Sequence, residues 1–404
     1  MINQRIEPVT VWNKNFICAM AANFMLCLAH FSINPLVATY AEYLDASPQI
    51  IGIIAGMFFG VALAMRPFAG PVTTKFDKRK LLIFVFILGV VANLGYAMFR
   101  NIPAFIGFRI VNGIQFSLVG MLLMTLAADH LPKAKLASGI GIFGISGAAA
   151  SAVAPSIGDA MIRLGTSLRS EGFGFMLMFL FGSAVFAFAV IPAAMLAADY
   201  KSKEELASTG AWYKNIFTIH ALPTTIITFL IILPHAMTHT FMFDFGREQG
   251  IAGISLFYLV LATTLTLSRP LGGFMIDRFG IAKIMFPGLM LVVAALLLIG
   301  SSSALWMLIV AAVVMAFGVG SSQPTLQAMC MQTEPPIKRG VASNTIYIGL
   351  DLGLFLGPIL GNAVRIRTDF AFMYRAATIP VGLAIVCLAV ILPIHKRRVA
   401  SLDT

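Results

Sequence analysis

Few residues in this chain place a charge or a strong hydrogen-bonding group inside an apolar run, and those few bound its chemistry. Asp351 lies in the run 341–364, ten residues beyond Val341. At 1.5 Å per residue that is about 15 Å along a helix, near the midplane of a bilayer. A carboxylate there can take up and release a proton as its surroundings change. Asn344 and Tyr347 precede it at steps of three and four, so the three share one helical face. Asn23, Cys27, His30 and Asn34 follow steps of four, three and four and form a second polar stripe. Within it, His30 is a candidate proton carrier near neutral pH. Arg109, Asn112 and Gly113 share a face of a third run, where Arg109 could sense the protonation of Asp351 or bind an anionic group. The competing reading of Arg109 is snorkelling to the interface, because Pro103 opens its run only six residues earlier. Gln323 and Gln327, four apart, could hold a substrate from one side. For every one of these residues the alternative role is a hydrogen bond that glues two helices together.

Other constellations are missing. His235 and His239 have a zinc-compatible spacing, but no HExxH glutamate or third ligand accompanies them, so no metal site is expected. No Ser/His/Asp set or paired-carboxylate arrangement suggests an enzyme. No GxxxxGK[ST] stretch occurs, which argues against ATP as energy source and leaves an ion gradient, with no cofactor. Cys18, Cys27, Cys330 and Cys387 fall in apolar runs without metal or redox spacing and read as packing residues.

The elements that carry these residues follow from composition. Of 404 residues 59% are hydrophobic and only 11% charged, whereas a water-facing domain has about 25% charged residues. A soluble globule is excluded, and the outer surface must face lipid. Apolar runs fall at roughly 14–38, 48–72, 81–99, 103–128, 136–161, 172–197, 215–243, 250–276, 283–301, 304–330, 341–364 and 370–394. Lipid leaves backbone groups no water partner, so these twelve runs read as helices, the first a retained span and not a signal peptide. The net charge of +11 reflects loop lysines and arginines, with no nucleic-acid partner implied. With the N-terminus inside, 18 Lys and Arg fall on cytoplasmic segments against seven outside. That places both termini in the cytoplasm.

The chain also repeats itself. Residues 66–80 read RPFAGPVTTKFDKRK and residues 269–283 read RPLGGFMIDRFGIAK, aligned at an offset of 203. APSIGD at 154–159 and GPILGN at 357–362 align at the same offset. Two motifs sharing one offset imply duplicated six-helix units, an architecture of secondary transporters. The expected division is a lobe at 1–198, a cytoplasmic linker at 199–214 and a lobe at 215–404.

On these motifs the sequence resembles the major facilitator superfamily, and within it the twelve-span drug:proton antiporter branch. The stretch from Arg269 through Gly273, Asp277, Arg278 and Gly280 resembles the superfamily's loop signature G-x-x-x-D-R-x-G-R. The first-half copy keeps Gly70 but has Thr74 for Asp, Lys75 for Arg and Asp77 for the second Gly, with basic character in Lys78 and Arg79. The resemblance implies that Gly70, Lys75, Arg79, Gly273, Asp277, Arg278 and Gly280 act in gating, with the aspartate accepting hydrogen bonds from a neighbouring helix N-terminus. Arg66 and Arg269 read as interfacial or gate residues. Arg109 to Gly113 resembles the fourth-span R-x-x-x-G signature. Ala154, Pro155 and Gly158 resemble part of the fifth-span exporter motif, which Gly353, Gly357, Pro358 and Gly361 match more fully in span eleven. Small residues at such spacings also serve plain helix packing.

The expectation is therefore an all-α membrane protein with twelve transmembrane helices in two pseudo-symmetric six-helix lobes. It is a monomer in the inner or plasma membrane that uses a proton gradient to expel a small amphipathic molecule. Asp351, Arg109 and His30 serve coupling. Asn23, Asn34, Asn112, Gln323, Gln327, Asn344 and Tyr347 line the substrate cavity. The alternatives are a proton-coupled importer of an organic nutrient or anion, and a non-transporting sensor or scaffold.

Overall fold

Short polar residues set where many of the helices begin. Asn13, Asp77, Asn101, Ser170 and Asp369 each stand one residue before a helix and accept a hydrogen bond from the backbone N–H three residues on, at 2.6–3.3 Å. Each satisfies a donor that the first turn leaves open. A computed structural model describes residues 10–198 and 212–403, and among the described residues there is no strand.

The first half comprises α1 (Lys14–Ile33), α2 (Val37–Tyr43), α3 (Pro48–Lys75), α4 (Lys78–Met98), α5 (Ile102–Asp129), α6 (Leu136–Leu168) and α7 (Glu171–Met195). The second comprises α8 (Leu222–Glu248), α9 (Ser255–Phe279), α10 (Ile281–Ile299), α11 (Leu305–Gln332), α12 (Arg339–Arg365), α13 (Phe370–Ala376) and α14 (Thr378–Asp403). Among the described residues eleven helical segments are long and apolar enough to cross a membrane. The twelfth crossing is α3, 28 residues long with the apolar run 50–65 inside it. Large apolar side chains stay exposed along these helices, among them Phe188, Leu259 and Val390. In a membrane protein this is the lipid-facing surface.

Several boundaries differ from the sequence reading for local reasons. The seventh span begins at Leu222, not at 215, with Pro223 in its first turn. The eighth begins at Ser255, not at 250, because Gly250 and Gly253 adopt φ of +67° and +78°, which a helix does not allow. The first span is interrupted: α1 ends at Ile33, a 3-10 turn occupies Asn34–Leu36, and α2 resumes at Val37. Pro35, which lacks an N–H, lies at the centre of that interruption.

The chain divides into two compact units, one within 1–131 and 146–216 and the other within 132–145 and 217–404. Most of the expected linker, 199–211, lies outside the described residues, and its end forms a 3-10 turn at Trp212–Asn215. In the first unit α7 packs on α1 and α4, and α5 on α3 and α4. In the second, α12 packs on α8, and α9 and α10 both pack on α11.

Candidate functional site

The first unit gathers its polar residues at the break in span one. Arg109 of α5 donates from Nη2 to Asn34 Oδ1 at 2.6 Å and from Nε to the Ile54 carbonyl at 3.4 Å. Its guanidinium also lies 4.6 Å over the Phe58 ring. The side chain is 1% exposed, so it does not snorkel to the interface despite its distance of six residues from Pro103. His30 is stacked between Phe58 and Phe116, with ring centroids 4.6 and 4.8 Å away. A void of about 10 Å³ opens between His30, Asn34, Asn93, Arg109 and Asn112, about the size of one water. Asn23, on the same stripe, hydrogen-bonds Ser146 Oγ at 2.9 Å and thus ties α1 to α6. Arg66, read as an interfacial or gate residue, is 2% exposed and donates to the Ser117 carbonyl at 2.7 Å, so it does not lie at the interface. Packing of α3 on α5 takes it out of reach of the surface.

The second unit has its own polar cluster. Asp351 and Asn344 of α12 are buried in this unit, but neither lines the void beside Gln323 and Gln327. Gln323 and Gln327 of α11, Tyr347 of α12 and Thr228 of α8 surround a second void of about 10 Å³, with Ile346 and Leu350 as its apolar lining. Arg269, also read as an interfacial or gate residue, is half-buried and donates from Nη2 to Gln323 Oε1 at 3.1 Å and from Nη1 to the Gly144 carbonyl at 3.4 Å. It thereby links the loop motif to this cluster. The His235 and His239 rings lie 4.6 Å apart. Among the described residues no group of three or more His, Cys, Asp or Glu could hold a metal ion.

The repeated motifs act at the helix ends. Asp277 Oδ2 accepts from the Ser138 backbone N–H at 3.2 Å, in the first turn of α6. That turn presents open N–H groups and the positive end of the helix dipole. Gly273, one turn before Asp277, permits the approach: a Cβ there would come within 2.7 Å of Ala137 O and 2.6 Å of Ser138 Cα. Gly280 joins α9 to α10 with φ +87°, a conformation that favours glycine. Arg278 is exposed, with its guanidinium 5.5 Å from the Phe279 ring. The first-half copy is built differently. Lys75 is exposed and Arg79 half-exposed, Asp77 caps α4, and Gly70 lies against the backbone carbonyls of Asn215 and Ile216. The buried contact there is Lys78 to Asp129 at 2.6 Å.

The small-residue motifs are helix contacts. Gly158 lies against the Ser32 carbonyl, with Pro155 inside α6 and Ala154 buried. Gly353, Gly357 and Gly361 line the contact of α12 with α8, where added Cβ atoms would meet Ile232, Leu233 and Met237. Pro358 lies within the same helix.

Comparison with known proteins decides the family. The model of the Major Facilitator Superfamily matches residues 19–262 and 216–402. The chain belongs to the major facilitator superfamily. Curated relatives include the multi-drug resistance efflux pump PmrA of Streptococcus pneumoniae, 22% identical over 386 residues, covering 92% of this chain and 94% of that protein. The staphylopine export protein of Staphylococcus aureus is 21% identical over 368 residues, covering 87% and 90%. Among solved structures, the human organic anion transporter MFSD10 (TETRAN) has a TM-score of 0.74 at 15% identity, covering 93% of this chain and 99% of that one. A variant of the fucose:proton symporter FucP of E. coli has a TM-score of 0.75 at 12% identity, covering 95% and 98%. These likenesses give this superfamily member its fold, which importers and exporters share. The protein is thus a multi-pass membrane transporter of small molecules.

Three features of this superfamily transporter were not read from sequence. Asn93 of α4 reaches the void beside Arg109 from the middle of the apolar run ILGVVANLGY. A lone amide in such a run is a signal that could have found it. Lys78 and Asp129 are 51 residues apart, and only tertiary packing brings them together. Glu334 is buried and receives Thr218 Oγ1, His220 Nδ1 at 3.0 Å and Arg398 Nη2 at 4.0 Å. These partners come from segments far apart in sequence, and no local pattern announces them.

Proposed function

We propose that this transporter exchanges protons for a small amphipathic organic molecule, moving it out of the cell, with both termini in the cytoplasm. The observation that carries this reading is Asp351, a carboxylate buried to 2% exposure twelve residues into the 27-residue helix α12. A carboxyl group at that depth is retained against a large desolvation cost, and proton transfer is the work such groups do in transporters. Export is supported by the names of the two curated relatives and by the small-residue motifs of α6 and α12. The cytoplasmic termini are supported by the 18 to seven division of Lys and Arg between the two sides.

In the mechanism, substrate and proton compete for the polar cluster of the second unit. The substrate binds among Gln323, Gln327, Asn344 and Tyr347 when Asp351 is ionised. Protonation of Asp351 releases it. The two halves alternate access, and coupling follows because each ligand binds the two states with different affinity. The Asp277 contact to the N-terminus of α6 holds one of those states closed and must break on the way to the other. Gly273 and Gly280 keep the loop close enough for that contact, while Lys75, Arg79 and Arg278 face the cytoplasmic phosphates.

A thermal-shift screen of the purified protein against chemically diverse ligands at two pH values supplies the substrate. Proteoliposomes then test the reading. An outward-directed substrate gradient must drive protons inward. A substrate gradient that moves no protons refutes exchange. Proton movement in the same direction as substrate establishes the importer, and absence of any flux with any ligand establishes a sensor or scaffold.

A further inference from the structure

Arg109 is a buried cation whose neighbours are all neutral. They are Asn34 Oδ1, the Ile54 carbonyl, the Phe58 ring and the phenol of Tyr96. Among the described residues no carboxylate lies within ion-pair distance of it. The sequence explains why. Between Lys14 and Ala198 the acidic residues are Glu42, Asp45, Asp77, Asp129, Asp159 and Glu171, all at helix ends or in loops except Asp159, which is exposed within α6. Asp129 lies against Lys78, and Asp159 against Arg163. The described residues of the first unit therefore hold a guanidinium in the interior and supply no anion for it. An uncompensated charge in such a place is costly. Neutral oxygens reduce the cost without cancelling the charge.

Two further observations mark the place as a binding site. Asn93 Oδ1, on a residue 1% exposed that lines the same void, has no hydrogen-bond partner among the described residues. Span one is also interrupted at Asn34, the residue that holds the guanidinium. Discontinuous spans are where transporters place their ligand groups.

We propose that Arg109 receives the carboxylate of an organic acid substrate, with Asn93 accepting a hydrogen bond from a hydroxyl or amino group next to that carboxylate. The proposal goes beyond the transport reading above: it gives the first unit an acid-binding site of its own, apart from the polar cluster of the second unit. A guanidinium offers two parallel N–H donors to a carboxylate, a geometry that Asn34 satisfies only in part. The void is about the size of one water, so entry requires Arg109 to exchange Asn34 for the ligand. Asn34 thus acts as a stand-in for the anion between transport cycles.

The test uses the purified full-length protein and thermal shift at fixed pH and ionic strength. The probes are mandelate, 3-phenyllactate and 2-hydroxydodecanoate, each beside its primary amide, with phenylacetate and inorganic phosphate as further arms. The expected result is stabilisation by the hydroxy acids above their amides and above phenylacetate. Arg109→Gln lowers the acids' affinity by ~10- to 100-fold, the range of a charge-assisted hydrogen bond, and leaves any binding of the amides in place. Since Arg109→Gln alone could disturb folding, Asn34→Ala provides a second reading. It frees Nη2 and raises affinity for acids only, whereas a purely structural role for the pair would weaken acids and amides alike. Equal response to acid and amide, response to none, or response to inorganic phosphate alone overturns the proposal. Acid binding that depends on Arg109 but moves no protons in proteoliposomes leaves this proposal standing and takes these acids out of the proton exchange read at Asp351. Acid binding insensitive to Arg109→Gln, with proton exchange intact, overturns this proposal and leaves that exchange standing.

Discussion

The contact between Asp277 and the first turn of α6 gives a prediction whose size can be worked out. Asp277→Ala removes a carboxylate acceptor from the Ser138 N–H at 3.2 Å. Hydrogen bonds to charged groups are worth about 1.5–3 kcal/mol net. This one belongs at the low end, because 3.2 Å is long for a charge-assisted bond and Asp277 is only half-buried, so water screens it. The charge also interacts with the helix N-terminus, worth about 0.3–1 kcal/mol at a screened site. Together the loss is about 1.8–2.5 kcal/mol, or ~20- to 70-fold in the population of the clasped state. Asp277→Asn keeps an acceptor and loses the charge, so its effect is ~2- to 5-fold, from the dipole contribution alone. Ala137 is buried beside the contact and reports on it. With Ala137→Cys in a background where the four native cysteines are replaced, a membrane-impermeant maleimide labels faster in the order Asp277, Asp277→Asn, Asp277→Ala. Equal labelling in all three, with equal melting temperatures, refutes the argument that this contact holds a conformational state.

Other expectations concern stability. Lys78→Met strips Asp129 of its buried ammonium partner and costs about 3–5 kcal/mol, whereas Lys78→Met with Asp129→Leu regains most of it, since a paired loss leaves no buried charge; denaturation of detergent-solubilised protein measures both. A Cβ at Gly357 would lie 2.7 Å from the Leu233 carbonyl and 2.8 Å from Ala236 Cβ, so Gly357→Leu costs at least about 1–3 kcal/mol of overpacking. Gly382→Ala, with nothing within 4 Å of the added carbon, leaves the melting temperature unchanged or slightly raised.

The architecture was legible because lipid simplifies the code: apolar runs of about 20 residues become helices, and the shared offset of 203 exposes the duplication. The contact of Asp277 with a helix N-terminus was implied by the resemblance to the superfamily's loop signature. Gln323, Gln327 and Tyr347 do meet around one void, as helical spacing alone suggests for the two glutamines. What failed depended on packing between distant segments. Arg66, read as an interfacial or gate residue, could have reached an interface by extending along the helix, and only its neighbours bury it. The break at Asn34 carried a signal in Pro35, masked by the apolar residues on both sides. Lys78 with Asp129, and Glu334 with His220 and Arg398, have no local spacing to read.

The central claim is that Asp351 carries the proton exchanged for substrate. The direct measurement compares wild type and Asp351→Asn in proteoliposomes, following both pH-gradient-driven accumulation of substrate and substrate exchange at equal pH. The account predicts that the variant loses accumulation yet still binds substrate and exchanges it across the membrane. Accumulation at the wild-type rate in Asp351→Asn would contradict it.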